Sequence, residues 1–236
     1  MNQAQSKRRR KVAKARNPLI PFYWGVGALL VLGVAFLITY TARGGFSTTP
    51  VVDSGNAPSG QTAEGFWYKG NPDAKVKVIE YGDYQCPSCA LYEKSLAPII
   101  MRDYIVTGKI QFVFHEFPLQ GHSHALPSAE AARCAGDQGQ FWAMHDMIFL
   151  YQDQWATLSN VSNVFSGYAG QIGLNRSTFD TCLSTAPHKA DLLAAAQSAI
   201  AIGVTATPSF SVNGQPVELN GLSSAIEIAL RATANQ

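Results

Sequence analysis

Two cysteines three positions apart, Cys86 and Cys89, are the residues of this chain best suited to chemistry. They stand in Cys86-Pro87-Ser88-Cys89, directly after an apolar, β-branched run. A thiolate is a nucleophile and a leaving group, so two thiols that can close on each other can exchange a disulfide with another pair. The same spacing is also half of a zinc site. No second Cys-x-x-Cys exists here, so His122 and His124 would have to complete such a site. Pro-Ser between the cysteines, at a strand-to-helix turn, favours exchange over zinc, and the histidines then read as polar residues of a loop tip or helix start. Neither a metal nor an organic cofactor is expected.

The elements that must position the pair are legible on both sides. Val76, Val78, Ile79 and Tyr81 form a buried-type strand that ends at Gly82-Asp83. After Cys86 the period changes: Leu91, Leu96, Ile99, Ile100 and Tyr104 are spaced as on a helix, kinked at Pro98 and closed by Gly108. A second strand covers 110–117. In this β-CxxC-α-β unit Cys86 opens the helix, where unpaired N–H groups stabilise a thiolate; Cys86 is therefore the expected nucleophile, with a lowered pKa. Cys89, one turn further in, is the expected buried partner, and Pro87 suits a first turn that does not use its missing N–H.

Residues 122–203 read as helices over 125–135, 141–151, 161–172, 176–183 and 190–202, punctuated by Gly136, Gly139, Gly173 and Pro187. Such a block between strands is expected to cap one end of the α/β unit, with Phe141, Trp142, Phe149, Tyr151 and Trp155 in its core. Thr207-Pro208 then leads into a strand over 209–212, a hairpin turn at Asn213-Gly214, a short strand over 216–219 and a last helix over 223–231. The expected fold class is α/β, with core segments 66–121 and 204–236 enclosing the helical insertion 122–203.

Upstream, residues 19–40 carry no charge across 22 positions, enough at about 1.5 Å per residue to cross a hydrocarbon core of about 30 Å. Seven of the 18 Lys and Arg residues precede it, between Lys7 and Arg16, and only Arg43 follows closely. That asymmetry predicts a cytoplasmic segment 1–18, a transmembrane signal anchor 19–41 and an extracytoplasmic remainder. A cleaved signal peptide fits less well, because the apolar run is long and no Ala-x-Ala follows. Gly, Ser, Thr and Pro dominate 42–65, a composition of flexible linkers. From Gly44 onward 10 basic residues face 16 acidic ones, which argues against nucleic acid as a partner. Outside the cytoplasm the four cysteines, Cys86, Cys89, Cys134 and Cys182, are in an oxidising space where three pairings are formally allowed. Taking Cys86 and Cys89 as the redox pair leaves Cys134 with Cys182.

The chain resembles the DsbA-like thiol:disulfide oxidoreductases, thioredoxin-fold proteins, and among them the membrane-anchored bacterial type. The resemblance rests on VKVIEYGDYQCPSC, HALPSAEAARCAGDQGQFWAMHDMIF, FDTCL and ATPSFSVNG, and covers about residues 66–234. It implies a cis proline facing the cysteines, here Pro208 preceded by the variable position Thr207, whose backbone can pair with an extended substrate. It also implies a buried carboxylate under the site, here Glu80, able to relay a proton for Cys89; simple alternation would instead turn Glu80 outward, towards a lysine such as Lys77. A second, structural disulfide between Cys134 and Cys182 would enclose about 49 residues and stabilise by roughly 2–4 kcal/mol, the alternative being two buried free thiols. The implied activity is disulfide introduction into reduced exported proteins, with a quinone-linked membrane partner as reoxidant. A reductase or isomerase of the same fold, or a non-catalytic peptide-holding module, are the alternatives.

Overall fold

The computed structural model describes residues 57–234. The expected basic segment 1–18, the anchor 19–41 and most of the linker 42–65 therefore lie outside the described residues. Among the described residues no helix is long and apolar enough to cross a membrane.

Six strands form one sheet: β1 (Ser59–Gln61), β2 (Trp67–Gly70), β3 (Val76–Gly82), β4 (Ile110–Glu116), β5 (Ser209–Val212) and β6 (Gln215–Val217), in the order β1-β2-β4-β3-β5-β6. Strands β3 and β4 run parallel, as a helical crossover requires, and the other pairs are antiparallel. Asn213 and Gly214 both have positive φ and close the β5–β6 hairpin. β1 was expected to be linker. Its Ser-Gly-Gln carries no apolar signal and is held by backbone pairing to β2, with Gly60 lying close over the Tyr68 ring.

The long helix expected after Cys86 is broken into three pieces: α1 (Pro87–Ser95), α2 (Ala97–Ile100) and a π-helical turn, Met101–Ile105. Pro98 has no N–H for the Lys94 carbonyl, so the ladder is interrupted there. Five helices fall close to the expected spans: α3 (Ala125–Gly136), α4 (Phe141–Leu150), α6 (Ser162–Gln171), α7 (Arg176–Thr185) and α8 (Lys189–Ala201). A short α5 (Gln152–Trp155) follows α4 directly, and α9 (Leu222–Ala234) ends the described chain.

The helical block is continuous with the sheet. Phe141, Ile148, Phe149, Trp155, Phe165 and Phe179 share one buried cluster with Val78, Phe112 and Phe114 of the central strands. Burying each such side chain contributes about 1.5–3 kcal/mol. Phe114 packs so tightly over β3 that only glycine fits at Gly82. The strand consequently delivers the chain to Asp83 and the cysteines along a fixed line.

Candidate active site

Strand β3 ends at Gly82, and four residues later Cys86 is the N-cap residue of α1, with extended backbone. The intervening turn is tied down on all sides. Asp83 Oδ1 accepts from the Gln85 N–H at 2.7 Å, while its Oδ2 accepts from the Leu119 N–H at 2.9 Å and meets His122 Nδ1 at 2.7 Å. Gln152 Nε2 donates to the carbonyls of both Tyr84 (2.7 Å) and Cys86 (2.9 Å). Gln85 donates to the Ala156 carbonyl and accepts from the His124 N–H. His122 and His124 thus hold the turn through Asp83 and Gln85, and His124 Nε2 lies 2.6 Å from the Leu158 carbonyl oxygen.

Both cysteines are free thiols, Cys86 6% exposed and Cys89 fully buried, beside an exposed Pro87 and Ser88. The Cys89 thiol, hydrogen-bonding to Cys86, is the largest influence holding the Cys86 thiol down at about 5, against the opposing effect of burial; Thr207 and the Cys89 and Ser88 amides add to it. Burial, then the Cys86 thiolate and the Glu80 charge, push Cys89 far up. The two thiols therefore differ as a nucleophile and a buried resolving partner must.

The chain from α8 returns to this point. The Thr207-Pro208 peptide bond is cis, and Cys86 Sγ lies 3.4 Å from the Thr207 carbonyl oxygen. An open groove of about 600 Å³ runs from Ser88 past Thr207 and Pro208, with Ile79, Ile202 and Val204 among its apolar walls.

Glu80 sits beneath the cysteines and is fully buried. It pairs in register with Phe114 of β4 and Phe210 of β5, and neither carboxylate oxygen has a hydrogen-bond partner. Alternation does not turn it outward: β3 is buried on both faces at this end, and Lys77 projects to solvent near Asn213 instead. Burial, and next the charge of Glu93, raise the Glu80 pKa well above the usual carboxylate range, with Lys69 opposing. Glu93, one turn beyond Cys89 on α1, is also opposed by burial, but the neighbouring His145 outweighs it and holds the acid below its ordinary value. His145 is completely buried, with Nε2 3.3 Å from Glu93 and Nδ1 3.0 Å from the Tyr84 hydroxyl. Sequence reasoning missed Glu93, His145, Lys69 and Gln152. Glu93 was findable, since position i+4 from Cys89 lies on the same helix face.

Cys134 of α3 and Cys182 of α7 are joined in a disulfide across 48 positions, tying two insertion helices together. Pro208, Thr207, Glu80, Cys86 and Cys89 converge on one site, and this disulfide lies outside it.

A parallel β-α-β unit carrying a Cys-x-x-Cys at the helix N-terminus, faced by a cis proline from an antiparallel hairpin, defines a protein of the thioredoxin class. A thioredoxin family model matches residues 62–228, and the chain belongs to that family. Within it the resemblance is to the DsbA-like branch. A Rickettsia bellii protein classed by name as a protein-disulfide oxidoreductase is 32% identical over 171 residues, covering 71% of this chain and 65% of that protein. A Bacillus anthracis protein named for disulfide bond formation, protein D, is 31% identical over 61% of this chain and 68% of its own length. The chain spans about 59–65% of the length of the Rickettsia relatives. Among solved structures, oxidised BdbD from Bacillus subtilis shares the fold with a TM-score of 0.65 at 24% identity, over 75% of this chain and all of that one.

Proposed function

We propose that this protein is a membrane-tethered, extracytoplasmic thiol:disulfide oxidoreductase that introduces disulfides into reduced exported proteins. The observation that carries the reading is the opposed state of the two thiols: a Cys86 thiol held at about 5 and a buried Cys89 pushed up. A stabilised thiolate is a good leaving group and favours the reduced form of the pair, which makes the disulfide oxidising. The relatives' names support the reaction class, and the uncharged run 19–40 after a basic segment supports the tether.

In the oxidised protein a substrate thiolate attacks Cys86 Sγ and the Cys86–Cys89 bond breaks. Cys89 leaves with the electron pair and takes a proton from Glu80, whose protonated form burial favours. A second substrate thiolate attacks the substrate sulfur of the mixed disulfide, expelling the Cys86 thiolate. The substrate has lost two electrons and gained a disulfide. Reoxidation passes the two electrons on to a quinone-linked membrane partner, and Cys89 gives its proton back to Glu80 as the disulfide re-forms.

The test is the reduction potential of Cys86/Cys89, with a Cys86→Ser control. A value near about −120 mV, with oxidation of a reduced model substrate abolished by the substitution, supports the reading. A value near about −270 mV would make the protein a reductase, and full activity without Cys86 would overturn the thiol mechanism altogether.

A further inference from the structure

The Cys134–Cys182 disulfide is surrounded by groups that a disulfide does not need. Glu130 lies one turn before Cys134 on the same face of α3 and is only 2% exposed. Its Oε1 accepts the backbone N–H of His188 at 2.9 Å, but its Oε2 is buried without any partner. His188 arrives because α7 stops at a left-handed Ala186, which turns the chain back towards α3. The His188 Nε2 is held 2.9 Å from Asp137 Oδ2, and that oxygen is 3.7 Å from Cys182 Sγ. One ligand atom from each of Glu130, Cys134, Cys182 and His188 falls within 4.8 Å of all the others.

Burying a carboxylate oxygen without a partner beside an S–S bond costs free energy, which a bound cation would recover. Two sulfurs, one imidazole nitrogen and one carboxylate oxygen are a donor set for tetrahedral Zn²⁺, whose ligand distances of about 2.0–2.3 Å place neighbouring donors about 3.3–3.8 Å apart. The present spread needs movements of about an ångström, and breaking the S–S bond supplies the largest of them. Asp137 already holds one ring nitrogen of His188, and an imidazole that binds metal through its other nitrogen gives the carboxylate–histidine–metal arrangement.

We propose that reduction of Cys134–Cys182 uncovers a zinc site formed by Glu130, Cys134, Cys182 and His188, so that a metal ion and a disulfide are alternative closures of the same loop. A dithiol reductant supplies two electrons, closing to its own cyclic disulfide and leaving two protein thiols. Zn²⁺ then displaces one proton from each thiol and binds two thiolates, the carboxylate and the imidazole. The link between α3 and α7 survives in a reducing environment, where a disulfide alone would be lost.

The experiment uses the full chain carrying Cys86→Ser and Cys89→Ser, so that only the second pair can respond. After reduction and removal of reductant, Co²⁺ and then Zn²⁺ are titrated. The expected result is one ion per chain, thiolate-to-cobalt charge-transfer absorption and tetrahedral d–d bands, all displaced by Zn²⁺. The oxidised protein binds none. His188→Ala and Glu130→Gln in the same background each weaken Zn²⁺ binding at least about tenfold, and Asp137→Asn about tenfold or more. Thermal melting of each variant in its oxidised form establishes that it folds. Where reduction itself unfolds the chain, Zn²⁺ must restore the melting transition. Absence of binding, an unrestored transition, or binding indifferent to both His188 and Glu130 would overturn the site.

Discussion

Cys86 Sγ and the carbonyl oxygen of Thr207 are 3.4 Å apart, although 121 positions separate the two residues in the chain. The Thr207 hydroxyl is buried and has no other partner, so it can turn its O–H to the sulfur once Cys86 ionises. Replacing Thr207 by Val removes that donor and keeps the shape. The Cys86 pKa is expected to rise from about 5 by up to about one unit, about 1.4 kcal/mol of lost thiolate stabilisation, and the pair to become less oxidising. Thiolate absorbance followed against pH measures it; an unchanged midpoint would remove Thr207 from the account.

The same thiolate ties redox state to stability. Cys86 titrates at about 5 in the fold, whereas a free cysteine titrates at about 8.5. A lowered pKa adds stability that is complete above the unfolded value and is lost as pH falls through the folded one. At pH 7 it favours the reduced fold by about 3 kcal/mol, two units at about 1.4 kcal/mol each. The oxidised form has no such thiolate, and groups common to both forms cancel. Between pH 7 and pH 4 the unfolding free energy of the reduced form, measured in urea relative to that of the oxidised form, should therefore fall by most of that amount.

Glu80 carries the opposite sign. Its raised pKa means that the folded chain keeps a proton the unfolded chain has released, so stability falls as pH rises above the ordinary carboxylate value. Glu80→Gln removes this dependence: the variant should gain stability relative to the parent at pH 8 and match it more closely at pH 4. It should also slow the step in which Cys89 leaves or attacks by about 10²-fold, the range of a lost proton relay. Stopped-flow oxidation of a reduced peptide separates the two effects, and a variant with the parental rate at every pH leaves Glu80 with no part in proton transfer.

Replacing Cys134 and Cys182 together by Ser should lower the unfolding free energy of the oxidised protein by about 2–4 kcal/mol, with the active-site potential unchanged. The disulfide joins α3 to α7 and lies outside the site. A shift in the Cys86/Cys89 potential would reveal coupling through α3 that the contacts around the cysteines do not suggest.

Elements whose signal is local were legible in the sequence. The alternation of β3, the Cys-x-x-Cys turn, the helices over 125–201 and the Asn213-Gly214 hairpin follow from periodicity and turn chemistry, and the structure has them within a few residues. Strand β1 was not legible, because backbone pairing to β2 leaves no side-chain pattern in Ser-Gly-Gln. The register at Glu80 was ambiguous because burial on both faces of a central strand erases alternation. The surroundings of the cysteines were least legible of all. His145, Lys69 and Gln152 come from three different elements, and only the folded chain brings them under or beside Cys86 and Glu80.

The Gln152 amide, which grips the carbonyls of Tyr84 and Cys86, makes the inserted helices a splint for the thiol turn as well as its cover. Exchanging the insertion for a shorter one would strand the Tyr84 carbonyl, leave the Cys86 carbonyl with the Ala90 N–H alone, and loosen the turn that carries the thiol. The turn and the segment around Gln152 and Ala156 therefore form one cassette, and a transplant of the Cys-Pro-Ser-Cys motif into another thioredoxin scaffold has to carry both halves to carry the reactivity.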